Sequence, residues 1–346
     1  MSETSIDLAK GERSEDSFQA SDFQFVQENE KLMDKTYKAT SYAKDVWVHF
    51  TRNKGAVVGF VIIVIIIFMA IIGPMISGHT YDEIILKYQS LPPRIPGLDK
   101  LGIFNGFEHG KDVYAAKGAS DVYYWFGTDT NGRDLFTRVW QGTRVSLIIA
   151  LVAVVIDIVI GMSYGLISGY FGGKVDMIMQ RIVEVLNGIP TLVVVTLLGL
   201  VLPQGMTSII FALMITGWIG MSRIARAEVL KLKESEYVLA SKTLGAKDFA
   251  IIFKDIMPNI FGQLIIMSMF SVPNAIFTEA FLSFVGLGIQ PPMASLGSLI
   301  SDGYKSLTIH PYMIMSSIVV LALLMLSFNL FADGLRDAFD PNQKQS

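Results

Sequence analysis

The chain has 346 residues, of which 51% are hydrophobic and only 17% charged, well below the roughly 25% charge of an ordinary soluble domain. A net charge of −3 offers no basic excess for tracking a phosphate backbone, which sets nucleic acid aside as a partner. With no cysteine there is no disulfide framework, thiolate metal site or cysteine nucleophile.

In chain order, residues 1–30 carry eight acidic side chains against Lys10 and Arg13, with few apolar positions. So little buriable surface cannot offset the entropy of ordering, and a disordered tail is expected. Residues 31–54 reverse sign, with Tyr42, Trp47 and Phe50 among the lysines, and read as an amphipathic lead-in at a membrane face. Together, 1–54 form a cytoplasmic tail and lead-in. The apolar run from Gly55 is too long and too far along the chain for the core of a cleavable signal, so a retained span is expected at 55–77.

About 20 apolar residues are needed to carry a helix across a bilayer of roughly 30 Å. Six segments qualify, near 55–77, 144–168, 182–202, 206–222, 261–289 and 312–332, and predict an all-α polytopic membrane protein. Pro203-Gln204-Gly205 breaks the third from the fourth. Between spans 4 and 5 lie seven basic residues (Arg223, Arg226, Lys231, Lys233, Lys242, Lys247, Lys254), while the 3/4 loop has none. The excess of basic residues in cytoplasmic loops places this loop, the 2/3 loop, the tail at 333–346 and both termini on the cytoplasmic side. Residues 78–143 then form an external segment, turn-rich and without a regular period.

Ser168-Gly169-Tyr170-Phe171-Gly172-Gly173-Lys174-Val175 is the nearest approach to a phosphate-binding loop, but Ser replaces its first Gly and Val its magnesium-ligating Ser/Thr. It is a turn, and the chain is not expected to hydrolyse ATP or to be an enzyme. The four histidines do not make a zinc-binding helix, and no Gly-x-Ser-x-Gly elbow occurs. Neither a metal nor a cofactor is expected on the chain itself.

Ionisable residues within spans are costly and become functional candidates. Asp157 falls in the middle of span 2 and Glu279 late in span 5, and each is open to two readings: a pathway lining, or a helix-to-helix hydrogen bond. For Glu184 and Asn274 the hydrogen-bonding reading is preferred. Gly161, Gly165 and Gly169, four apart, form one face suited to close helix packing.

The loop at 223–260 is the strongest signal. From Glu234 to Asn259, Ser235 is placed to cap a short helix and Gly245 to end it, and a second short helix can follow before Pro258 interrupts the approach to span 5. Such an apolar helix-Gly-helix knob, with Tyr237, Leu239 and Leu244, is built either to dock into something or to lie on a membrane surface.

These residues resemble the EAA loop of permease subunits of binding-protein-dependent ABC importers. Aligned on Gly245 and Pro258, the chain offers Leu239-Ala240-Ser241 and Asp255-Ile256-Met257-Pro258, without the family's glutamate and first isoleucine. Phe126-Gly127-Thr128-Asp129-x-x-Gly132-Arg133-Asp134, Gly142-Thr143-Arg144-Val145-Ser146-Leu147, Gly169-Tyr170-Phe171-Gly172-Gly173 and Glu279-Ala280-Phe281-Leu282-Ser283-Phe284 are similar to the C-type permease of the oligopeptide/dipeptide branch. The resemblance implies a type I ABC importer permease fold, with a five-helix core at 144–332, in a bacterial plasma membrane. It implies pairing with a homologous B-type permease, coupling to two ATP-binding subunits that hold ATP and Mg, and a peptide-binding lipoprotein outside. Tyr237, Leu239, Ala240, Ser241, Leu244, Gly245, Ala246 and Pro258 become the ATPase-coupling set. Gly127, Thr128, Asp129, Gly132, Arg133 and Asp134 are open to docking of the binding protein or to plain turn and capping chemistry. A nickel permease of the same branch and a secondary transporter are the rival readings. The absence of a histidine cluster along the spans favours peptide over nickel, and the lack of an internal repeat disfavours a secondary transporter.

Overall fold

A computed structural model describes residues 42–108 and 110–339, so the expected acidic tail, most of the basic lead-in and the last seven residues lie outside the described residues. The chain divides after Asp45, and the helical bundle belongs to the unit from Val46 onward. Among the described residues, five helices are long and apolar enough to cross a membrane, and a bent pair makes a sixth if the two halves are taken as one span. In chain order the spans are Lys54–Ile76, Leu135–Phe171, the pair Gly173–Asn187 and Thr191–Gly199, Met206–Leu232, Asp248–Phe284 and Tyr312–Phe339. By connectivity, residues 78–134 and the loops before spans 4 and 6 share one end of the bundle, here the collar. The 233–247 loop shares the other, here the knob, with the turn at Gly172.

Several boundaries differ from those expected, each for a local reason. Span 2 starts nine residues early, at Leu135, because Asp134 caps it, accepting from the amides of Phe136 and Thr137 at 3.2 and 3.1 Å. Span 3 is broken by 74° between Asn187 and Thr191. Pro190 disfavours helical geometry at Ile189, and this Gly-Ile-Pro break was not recognised in the sequence. Span 5 does not wait for Pro258: its helix is continuous from Asp248. A π-turn at Ile251–Ile256 widens the helix just ahead of the proline, which relieves the clash of its ring with the carbonyl four residues back. A second π-turn, Asp157–Met162, interrupts span 2.

Close packing follows the small residues. A Cβ on Gly161, Gly165 or Gly169 would lie 2.8, 2.3 and 2.9 Å from the nearest atoms of span 4, so spans 2 and 4 meet backbone to backbone. Pro74 in span 1 donates no hydrogen bond, and Arg144 of span 2 reaches across to the freed Ala70 carbonyl at 2.9 Å.

The collar is more ordered than its composition suggests. A short antiparallel hairpin pairs Phe107–Glu108 with Lys111–Asp112, and Leu91, Tyr114, Ala119 and Tyr124 form a small core. The Arg94 guanidinium lies over the rings of Tyr114 and Tyr123, at 5.1 and 4.7 Å. Burial pushes the Tyr114 phenol above its ordinary range, and its hydroxyl donates to the Pro92 carbonyl at 2.9 Å.

Candidate functional site

The knob is a helix, Glu236–Thr243, closed by a Schellman turn. Gly245 takes φ +81°, its amide donates to the Lys242 carbonyl, and the Ala246 amide donates to that of Ser241. Ser235 precedes the helix without a side-chain cap; its hydroxyl donates instead to the Leu232 carbonyl at 2.6 Å. Val238 anchors the helix by burying itself among Leu166, Val229, Ile251 and Ile256. The rest faces outward: Leu244 is 88% exposed, Tyr237 and Leu239 about half so, and Ala240, Gly245, Ala246 and Pro258 are exposed, with Ser241 half-buried. An apolar face held this openly by one buried anchor has the form of an interface.

A strut braces the knob. The Tyr170 hydroxyl, at the end of span 2, donates to Asp248 at 2.8 Å, and the ring of Phe171 meets that of Phe249 edge-on at 6.2 Å. Arg226 and Asp176 add a bidentate pair at 2.7 and 2.6 Å, with Ser168 donating to the same carboxylate. No sequence signal pairs Tyr170 with Asp248 or Asp176 with Arg226, although Tyr170 and Phe171 stand in one of the motifs that carry the resemblance and Arg226 is one of the basic residues that orient the loop.

The six collar residues are turned inward. Thr128 is fully buried, accepting from the Leu91 amide at 2.8 Å and donating to the Tyr88 carbonyl. Asp129 accepts from the amides of Asn131 and Arg133 at 2.8 and 2.9 Å and pairs with the Arg133 guanidinium at 2.6 Å, with Arg138 at 3.6 Å. Asp134 caps span 2, as described. Gly127 and Gly132 have φ of +80° and +77°, and a Cβ on either would run into the carbonyl of Leu91 or of Ile85.

The two intramembrane carboxylates part company. Glu279 is fully enclosed, accepting from the hydroxyls of Ser146 and Ser283 at 2.7 Å each. Asp157 opens the π-turn of span 2 and lines a cleft of about 330 Å³, shared with the bent part of span 3 and with spans 4 and 5. Of the others, Glu184 pairs with Arg181 at 2.6 Å on an exposed face, and Asn274 donates to the Phe270 carbonyl at 3.2 Å while lining the cleft.

Comparison with known proteins gives this arrangement a family. Residues 161–345 match the family described as binding-protein-dependent transport system inner membrane component, and residues 41–93 match the N-terminal TM domain of oligopeptide transport permease C. The chain is 44% identical to the oligopeptide transport system permease protein OppC of Bacillus subtilis (strain 168), over 89% of this chain and 92% of that one. It is 43% identical to the dipeptide transport system permease protein DppC of the same organism, over 88% and 87%. OppC of Escherichia coli (strain K12) is 33% identical, over 87% and 91%. With its helical bundle, its exposed knob and this depth of similarity, the chain belongs to the binding-protein-dependent transport system inner membrane components.

Proposed function

We propose that the chain is the C-type permease subunit of an ABC importer of oligopeptides or dipeptides, forming half of the translocation pathway beside a homologous permease. The carrying observation is the knob, an apolar helix fixed from below by Val238 and presented outward through Leu239 and Leu244. Burying one such leucine contributes roughly 1.5–3 kcal/mol, so seating the knob in a groove of an ATP-binding subunit would be favourable. In this reading the knob lies on the cytoplasmic side, both termini with it, in the plasma membrane of a bacterium. Closure of the nucleotide-loaded ATPase pair pulls the knob, and the Tyr170–Asp248 strut passes the pull to span 2. Ala240 and Ser241 are small enough for close approach, and Gly245 sets the turn. ATP and Mg reside on the partner subunits.

At the other end, the enclosure of Thr128, Asp129, Arg133 and Asp134 favours the turn-and-capping reading over direct docking of the peptide-binding lipoprotein. Within the membrane, Asp157 belongs to the pathway, and Glu279 acts by tying span 5 to span 2.

Uptake of a labelled oligopeptide and of nickel, in a strain deleted for this gene and complemented with it, tests the reading. Restored peptide uptake that stops when the partner ATPase is catalytically dead supports it. Restored nickel uptake alone, or uptake indifferent to the dead ATPase, overturns it. Because the chain has no cysteine, Lys242→Cys creates a unique thiol, and labelling it from outside intact cells would refute the orientation.

A further inference from the structure

The cleft beside Asp157 has an uneven chemistry. Its polar lining is Asp157, Thr191, Thr216, Ser271, Asn274 and Thr278, and no Lys, Arg or His is among the lining residues. Several of its donors are already spent on the backbone. Thr216 donates to the Ala212 carbonyl at 3.2 Å, Thr278 to that of Asn274 at 2.8 Å, and one amide hydrogen of Asn274 goes to Phe270. The hydroxyls of Thr216 and Thr278 therefore keep lone pairs to offer, and Asp157 adds a carboxylate with the Ser271 hydroxyl beside it. Both intramembrane acids are buried, Asp157 at 3% exposure and Glu279 at 0%, but only Asp157 borders the cleft, whereas Glu279 is closed off by two serine hydroxyls. Asp157 also opens a π-turn, a helix irregularity found often at functional sites.

An acceptor-rich wall with one acid and no cation is complementary to a group that brings donors and positive charge. We propose that this cleft binds an organic ammonium, the N-terminal ammonium of the passing peptide, with Asp157 as its counter-charge and the neighbouring threonine oxygens as further acceptors. The cleft is large enough for the first residues of a peptide, at about 330 Å³. This rests on the peptide-importer reading. In the intact transporter, the site would give the pathway a weak hold on one end of its cargo whatever the side chains.

The test is equilibrium dialysis of the purified, nucleotide-free transporter complex, without binding protein, against radiolabelled trialanine and N-acetyl-trialanine. The wild type is expected to retain trialanine about tenfold more tightly than the acetylated form, the size of one charge-assisted contact. Asp157→Asn should erase that difference and Asp157→Glu should keep it. A structural role alone would instead lower the melting temperature and leave the preference between the two peptides in place. Equal retention of both peptides by the wild type, retention of neither, or discrimination that survives Asp157→Asn overturns the proposal. Trialanine uptake by the reconstituted wild type, with binding protein and ATP, separates the two readings. Uptake without discrimination defeats the ammonium site alone, whereas no uptake defeats the importer reading and the site with it.

Discussion

At the collar, Thr128, Asp129, Arg133 and Asp134 are polar and enclosed, whereas at the knob Leu239 and Leu244 are apolar and open. Each arrangement carries a cost if the chain is considered alone. Burying a carboxylate and two guanidiniums is tolerable because Asp129 accepts hydrogen bonds from two amides and from Arg133, with the Arg138 guanidinium at ion-pair distance. Leaving leucines in the open is tolerable only if something covers them. Polarity alone would therefore assign the two ends the wrong way round. The charged turn is internal masonry, and the greasy helix is the one left open, which in the reading proposed above is the surface that meets another protein.

That contrast can be broken most forcefully at Asp129. Asp129→Asn leaves two guanidiniums enclosed without their carboxylate and should cost about 3–5 kcal/mol, read as a large fall in the melting temperature of the purified complex. A loss below about 1 kcal/mol would mean the turn is not structural, and would return it to the binding protein.

Next comes the knob surface. Leu244→Asp, and likewise Ala240→Asp, should abolish peptide uptake and co-purification with the ATP-binding subunits, while melting moves by no more than about 0.5 kcal/mol, the usual range for exposed positions. Normal uptake by either variant would remove the knob from coupling.

Gly245→Ala is more graded. A Cβ there meets nothing within 4 Å, so the whole penalty is the left-handed backbone, about 1–2 kcal/mol. Transport should weaken, and Gly245→Asn should recover most of it; a steric role would make Asn the worse of the two. The smallest effect is expected from Tyr170→Phe, which deletes one hydrogen bond to Asp248 worth about 0.5–1.5 kcal/mol. Hydrogen exchange at Glu236–Thr243 should quicken slightly, and unchanged exchange would show that the strut bears no tension.

Much of the bundle is legible in the sequence because span 1 and span 6 are set by sheer apolar length, which survives any packing arrangement. Boundaries set by single polar residues are not. Span 2 begins where Asp134 caps it, and span 5 begins at Asp248 because a π-turn absorbs Pro258, an accommodation that composition does not encode. The bend in span 3 was open to discovery in Gly188-Ile189-Pro190. Gly245 is readable since only a left-handed position after an apolar helix calls for glycine there. The separation of Asp157 from Glu279 is not, because one of the two serines that close off Glu279, Ser146, lies 133 residues away in the chain. The strut is equally hidden, joining residues 78 apart.

The three glycines of span 2 have a mechanical corollary. Span 4 meets them with its own backbone and with the first carbons of Met221, Ala225 and Val229, so the layer between the two helices is thin and has little room to give. In the reading proposed above, a pull at the knob would pass along this contact toward Asp157, and Gly165→Ala, whose Cβ would lie 2.3 Å from the Ser222 carbonyl oxygen, would force the helices apart and weaken transport without altering either end.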